Sequence, residues 1–226
     1  MKKHSTQSSK PSKKHSDLNR STLQILGIFV VWALYRVLFH FPEWVDEGIA
    51  KAFVFGIPVW LYCRSHRRGE DRLGLSNKHF WPGMFLGLLI GGLYQFLAIT
   101  VLLARGGVTA SNSVLNSPMF GYIFFLALLT AWWETMFFFG YVLNVFYDAV
   151  GKREIPAVFA ALCIFLLFHA PLAFIQSGFG PMVWKQLALL GVFAVGQAIL
   201  YFRSKSVYAV TISHAMWGLM LLVYAV

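Results

Sequence analysis

The sequence predicts an all-α fold, a polytopic bundle of about seven transmembrane helices with its N-terminus inside. Three observations lead there. Hydrophobic residues make up 58% of the 226-residue chain and charged residues only 12%, more apolar side chain than one soluble core of this size can use. The apolar residues fall into runs long enough to cross a bilayer. The basic residues collect in the segments between alternate runs.

The runs are Thr22–Phe41, Val45–Cys63, Phe80–Leu103, Met119–Tyr147, Ile155–Ile175, Met182–Phe202 and Ser206–Val226. Hydrocarbon offers the backbone no hydrogen-bond partners, and these runs are too long and too continuously apolar for barrel strands, so each is expected to be a helix. Met1–Arg20 is rich in Ser and Lys with almost nothing to bury. It is expected as a disordered basic cytoplasmic tail, able to touch anionic lipid, ahead of a transmembrane domain over 21–226. The first run follows this long polar tail and lacks a small-residue cleavage site, so it reads as a retained helix. Gly83, Gly87 and Gly91 recur at four-residue spacing in the third run, which suits close approach of another helix. Pro58 and Pro171 lie inside spans and are expected to bend them. Trp44, Trp60, Trp81 and Trp184 fall near predicted interfaces, where indole is favoured.

With the N-terminus inside, every one of the 19 Lys and Arg residues except Arg36, Lys51, Arg105 and Lys185 is on the inner side. Those four are expected near outer helix ends, with their stems snorkelling to the interface. The net charge of +10 is thus a topology signal. It is spread over loops and accompanies no recognition motif, which excludes a nucleic-acid partner. The bilayer itself is the expected surroundings, for a multi-pass protein of the cell membrane. Cys63 falls at an inner helix end and Cys163 inside the fifth span, which argues against a disulfide.

Glu134 is the single acidic residue deep in a long apolar run. A carboxyl group at that depth is costly without a partner or a hydrated cavity, which marks a functional site. Of the seven histidines only His169 and His214 lie deep in spans. At a rise of ~1.5 Å per residue, Glu134, His169 and His214 sit about 20, 21 and 12 Å from their inner helix ends, close enough to converge in one layer. A carboxylate and two imidazoles in a cavity suit activation of water. The carboxylate takes the proton, and an imidazole stabilises the oxyanion formed at a peptide carbonyl. The same three groups equally describe a structural polar network, or a zinc site with an open position for water. Histidine ligation of haem, or proton relay, is a third possibility. No HExxH is present, no second acid is placed for an aspartyl dyad, and Gly74-Leu75-Ser76 lies outside any span, so other intramembrane protease types fit poorly.

Glu134-Thr135-Met136-Phe137-Phe138-Phe139-Gly140 resembles the EExxxRG motif of the CAAX protease and bacteriocin-processing family (CPBP, also called Abi). Phe165-Leu166-Leu167-Phe168-His169 matches that family's FxxxH, and the stretch from Ser213 to Gly218 resembles its HxxxN. Order, gaps and placement on three late helices agree, over roughly residues 70 to 226. The resemblance implies an intramembrane endopeptidase acting on a peptide or membrane-protein substrate. Carried over, Glu134 is the base, His169 its partner and His214 the oxyanion donor. The cofactor is left as none or zinc, with the same three residues as the ligands of any metal.

Three positions depart from the pattern. Thr135 stands for the second glutamate, Phe139 for the arginine and Gly218 for the asparagine. Loss of an acid and a base together is coherent, since either charge alone would be costly in the membrane. Loss of the asparagine predicts weak or absent turnover unless a donor such as Thr211 or Asn144 substitutes. A non-catalytic member acting in binding, immunity or scaffolding is therefore the alternative.

Overall fold

The computed structural model describes residues 13–65, 69–104 and 118–224, and every regular element among them is helical. Helix α1 spans Lys13–Leu38. After a short turn, two π-helical stretches, Val45–Ala50 and Ala52–Gly56, lead into α2 (Ile57–Ser65). A short α3 (Gly69–Leu73) and a 3₁₀ turn (Asn77–His79) precede α4 (Phe80–Ala104). Then come α5 (Phe120–Glu134), a third π stretch (Thr135–Val142) and α6 (Leu143–Ala149). Helices α7 (Glu154–Ser177), α8 (Pro181–Ser204) and α9 (Val207–Tyr224) complete the chain.

Among the described residues, five helical segments are long and apolar enough to cross a membrane, beginning at Asn19, Gly69, Phe120, Glu154 and Pro181, and Val207–Met220 adds a shorter apolar helix. The chain is a multi-pass membrane protein. The expected second span is helical throughout, but Asp46, Glu47 and Lys51 and its π stretches set it apart from the long apolar segments. Pairings between elements define two ends of the bundle. At one, Arg72 meets Asp148 and Arg203 meets Glu154, while Arg20 and Ser65 line a common groove. At the other, Arg36 at the end of α1 holds Asp46 at 2.9 Å.

Two expectations need correction here. Residues 1–12 of the anticipated tail lie outside the described residues, but 13–20 continue α1, because a formed span supplies the nucleus that lets ordinary helix formers extend it. Lys51 does not snorkel. It is 5% exposed and points into the bundle, because the acids it meets there compensate the burial of its charge. Arg105 lies outside the described residues. Lys185 is exposed, and Arg36 lies over the Trp32 ring as well as on Asp46.

The prolines behave differently from one another. Pro58 is the second residue of α2, one residue past the end of a π stretch. Pro171 sits inside α7, which continues as one helix to Ser177. Trp44, Trp60, Trp81 and Trp184 are all at least half exposed on the bundle's outer surface.

The glycine ridge of α4 packs on α9. A Cβ on Gly87 would lie 2.6 Å from the Ala209 carbonyl oxygen, and one on Gly91 would lie 2.6 Å from Met216 Sδ. Only glycine lets the two backbones approach this far. Gln95 Nε2 donates to the Met216 carbonyl at 3.0 Å, and Gln197 Nε2 of α8 donates to Ser213 Oγ at 3.1 Å. These contacts fix α9 on either side of His214.

Candidate active site

Phenylalanines build the walls. Phe55, Phe137, Phe138, Phe165 and Phe168 are buried and pack on one another, with Phe55 and Phe137 stacked at 4.8 Å and Phe138 edge-on to Phe165 at 5.0 Å. Phe165 stacks on His169 at 4.1 Å, and Phe193 of α8 lies 4.9 Å from the His214 ring. Each imidazole is thereby held in one plane by an apolar neighbour. Phe139 is 2% exposed and packs in the same aromatic core, so an arginine there would meet hydrocarbon alone.

The structure brings Glu134, His169 and His214 together. His214 Nε2 is 3.5 Å and His169 Nε2 3.7 Å from the same carboxylate oxygen, Glu134 Oε2. His169 Nδ1 lies 2.8 Å from the Phe165 carbonyl. A carbonyl oxygen only accepts, so Nδ1 carries the proton, and in the neutral ring Nε2 offers a lone pair toward Glu134. His214 Nδ1 faces Thr135 Oγ1 at 3.4 Å. With the hydroxyl donating to Nδ1, the proton of neutral His214 sits on Nε2. The two rings then present complementary atoms, an acceptor and a donor, to one carboxylate edge.

The other edge of that carboxylate is occupied by a residue that sequence reading missed. Lys51 Nζ donates to Glu134 Oε1 at 2.5 Å and also bonds Glu47. Glu47 Oε2 accepts in turn from Thr130 Oγ1 at 2.7 Å, one turn before Glu134. The signal was present as an acid and a lysine at i, i+4 within a span-length run. Which face of the helix they occupy was not readable, because Lys51 lies between two π stretches and Glu134 immediately precedes a third. Stretches of π-helix rotate the following side chains out of the 3.6-residue register, and they concentrate at functional sites.

The donors considered for the missing asparagine separate clearly. Asn144 Nδ2 donates to the carbonyls of Arg72 and Gly140 at 3.0 and 2.6 Å and lies 2.7 Å from Tyr201 Oη, so it is committed elsewhere in the bundle. Thr211 Oγ1 is buried without a partner among the described residues. Gly218 leaves open space, since a Cβ there would meet nothing within 4 Å. A metal does not suit the site. The Lys51 ammonium already neutralises the carboxylate that a dication would need, and the described residues include no group of three His, Cys, Asp or Glu side chains placed to hold one.

The fold and the site define a class: a helical membrane protein with one buried acid and two imidazoles at its centre. Residues 116–220, which contain all three, match the family model described as "Type II CAAX prenyl endopeptidase Rce1-like". The match supports membership of the CAAX protease and bacteriocin-processing family. No curated protein and no solved structure matches the chain significantly.

Proposed function

We propose that the chain is an intramembrane endopeptidase that hydrolyses a peptide bond with water activated by Glu134. The observation that carries this reading is the single carboxylate oxygen, Glu134 Oε2, faced by two imidazole Nε2 atoms at 3.5 and 3.7 Å. A water accepted between them gives its proton to Oε2 while His169 Nε2 accepts its second hydrogen. The nascent hydroxide adds to the substrate carbonyl carbon. His214 Nε2–H then donates to the oxyanion, and the proton on Glu134 passes to the leaving amine as the C–N bond breaks.

The family's description points to a prenylated C-terminal peptide as substrate. A groove of about 1020 Å³ between α1 and the Val45–Ser65 run supports it, lined by Ile28, Val31, Phe53 and Leu61 with Arg20 and Gln24 also on its wall. Such a wall suits a hydrocarbon tail.

The test is release of the C-terminal residues from a farnesylated CAAX peptide in proteoliposomes, with thermal unfolding measured alongside. Glu134→Gln and His169→Ala should each lower turnover by about 10²–10⁴-fold, the usual worth of a positioned general base, with unfolding temperature maintained. Normal cleavage by either variant would remove the assignment. Gly218 favours a second reading, a non-catalytic member that binds such a peptide. In that case the wild type retains the peptide without cutting it.

A further inference from the structure

The chain lacks the second acid and the base of the EExxxRG pattern, having Thr135 and Phe139 instead. Both charge types nevertheless reach Glu134 from another helix. Lys51 Nζ sits 2.5 Å from Glu134 Oε1, and Glu47, one turn earlier on the same run, bonds that ammonium from its other side. Lys51 and Glu134 have side chains only 6% and 9% exposed, and the pair joins residues 83 apart in sequence. Thr130 Oγ1 completes the chain of contacts by donating to Glu47 at 2.7 Å.

We propose that Lys51, braced by Glu47, is the positioning residue of this site and supplies in space the charge pair that the first motif has lost in sequence. Its ammonium fixes Glu134 in two ways. By accepting at Oε1 the carboxylate loses its freedom to rotate, so Oε2 is the oxygen left facing both imidazoles. By its charge it keeps a buried acid ionised, the form a general base requires. Glu47 prevents the reverse problem: it bonds the ammonium from the other side, so neither charge of the Lys51–Glu134 pair is buried without compensation. The π stretches on each side of Lys51 and after Glu134 supply the register that aims the two side chains at each other. A lysine that only anchored the helix would reach for the interface, whereas this one is turned inward onto the catalytic carboxylate.

The role of Lys51 in turnover rests on the proposed function, so two readouts are needed. In the cleavage assay Lys51→Met should lower kcat about 10–100-fold with KM little changed, and Lys51→Arg should restore most of it, as for partners that orient a reacting group. In the infrared spectrum, the difference between Lys51→Met and Lys51→Met/Glu134→Gln should contain the band of a protonated carboxylic acid, absent from the difference between wild type and Glu134→Gln. Glu47→Gln/Lys51→Met leaves the net charge of the cluster unchanged and tests the same point if Lys51→Met fails to fold. Wild-type kcat in either Lys51→Met background, with Glu134→Gln inactive, would overturn the positioning role alone. Cleavage surviving Glu134→Gln would overturn the hydrolytic assignment, while the acid band would still report the Lys51–Glu134 coupling. Absence of that band in both backgrounds would overturn the coupling itself.

Discussion

At the scale of single residues, the site is a division of labour between the two oxygens of one carboxylate. Oε1 belongs to Lys51 and Oε2 to the histidines. Thr135, which stands where the family pattern has a second glutamate, faces His214 Nδ1 with a hydroxyl that, when it donates, leaves the proton of the neutral ring on Nε2. Under the proposed hydrolysis, Gly218 is the residue that limits the site. It offers no side chain to an oxyanion, and the space around it is open. Gly218→Asn should therefore be accepted without strain and should raise turnover of the farnesylated peptide at least tenfold, toward the ~10²–10³ that one oxyanion donor is worth. No gain in that assay would mean that the substrate carbonyl does not sit beside this turn of α9. Asn144, plausible as a substitute donor by composition, is excluded by its three polar contacts to the Arg72 and Gly140 carbonyls and Tyr201.

At the scale of elements, α9 carries His214 and is positioned mainly by the glycine ridge of α4. The relevant distance is the 2.6 Å that a Cβ on Gly87 would leave to a backbone oxygen of Ala209, an atom that cannot swing aside. Gly87→Ala should lower stability by about 1–3 kcal/mol, as overpacking does, and lower turnover with it, because the helix that carries His214 loses its fixed seat on α4. Gly92→Ala is the control, since nothing lies within 4 Å of its Cβ position. Thermal unfolding of the two variants in the same detergent checks this, and equal melting temperatures would show that the ridge is not a close contact. The ridge was legible in the sequence as a four-residue glycine spacing. Its partner was not, because spacing names a face of one helix without naming what packs there. The π stretches were not legible either. They arise where tertiary packing overrides the 3.6-residue period, as in the aromatic cluster around Phe137 and Phe138.

At the scale of the molecule, the pairing of Arg72 with Asp148 and of Arg36 with Asp46 sorts the loops into two ends. From the excess of Lys and Arg in the segments of the first end we propose that it faces the cytosol. The turn around Lys152 lies there, and the turn around Phe179, 86% exposed, joins α7 to α8 at the opposite end. In a background with Cys63 and Cys163 replaced, Lys152→Cys should react with a membrane-impermeant maleimide only from the cytosolic side and Phe179→Cys only from outside. The reverse pattern would invert the topology and place the groove's Arg20 end away from the cytosol.

The helical membrane fold followed from the sequence because hydrocarbon leaves the backbone one local way to satisfy its hydrogen bonds, and apolar run length records it. Glu134, His169 and His214 were also readable, since a titratable side chain deep in a span is conspicuous against apolar neighbours. What only the tertiary structure decided is which charged groups surround Glu134. Lys51 and Glu47 were visible as residues near a helix end, but their turn toward Glu134 depends on non-α registers and on contacts between helices far apart in sequence. Those are properties of packing, which no single segment encodes.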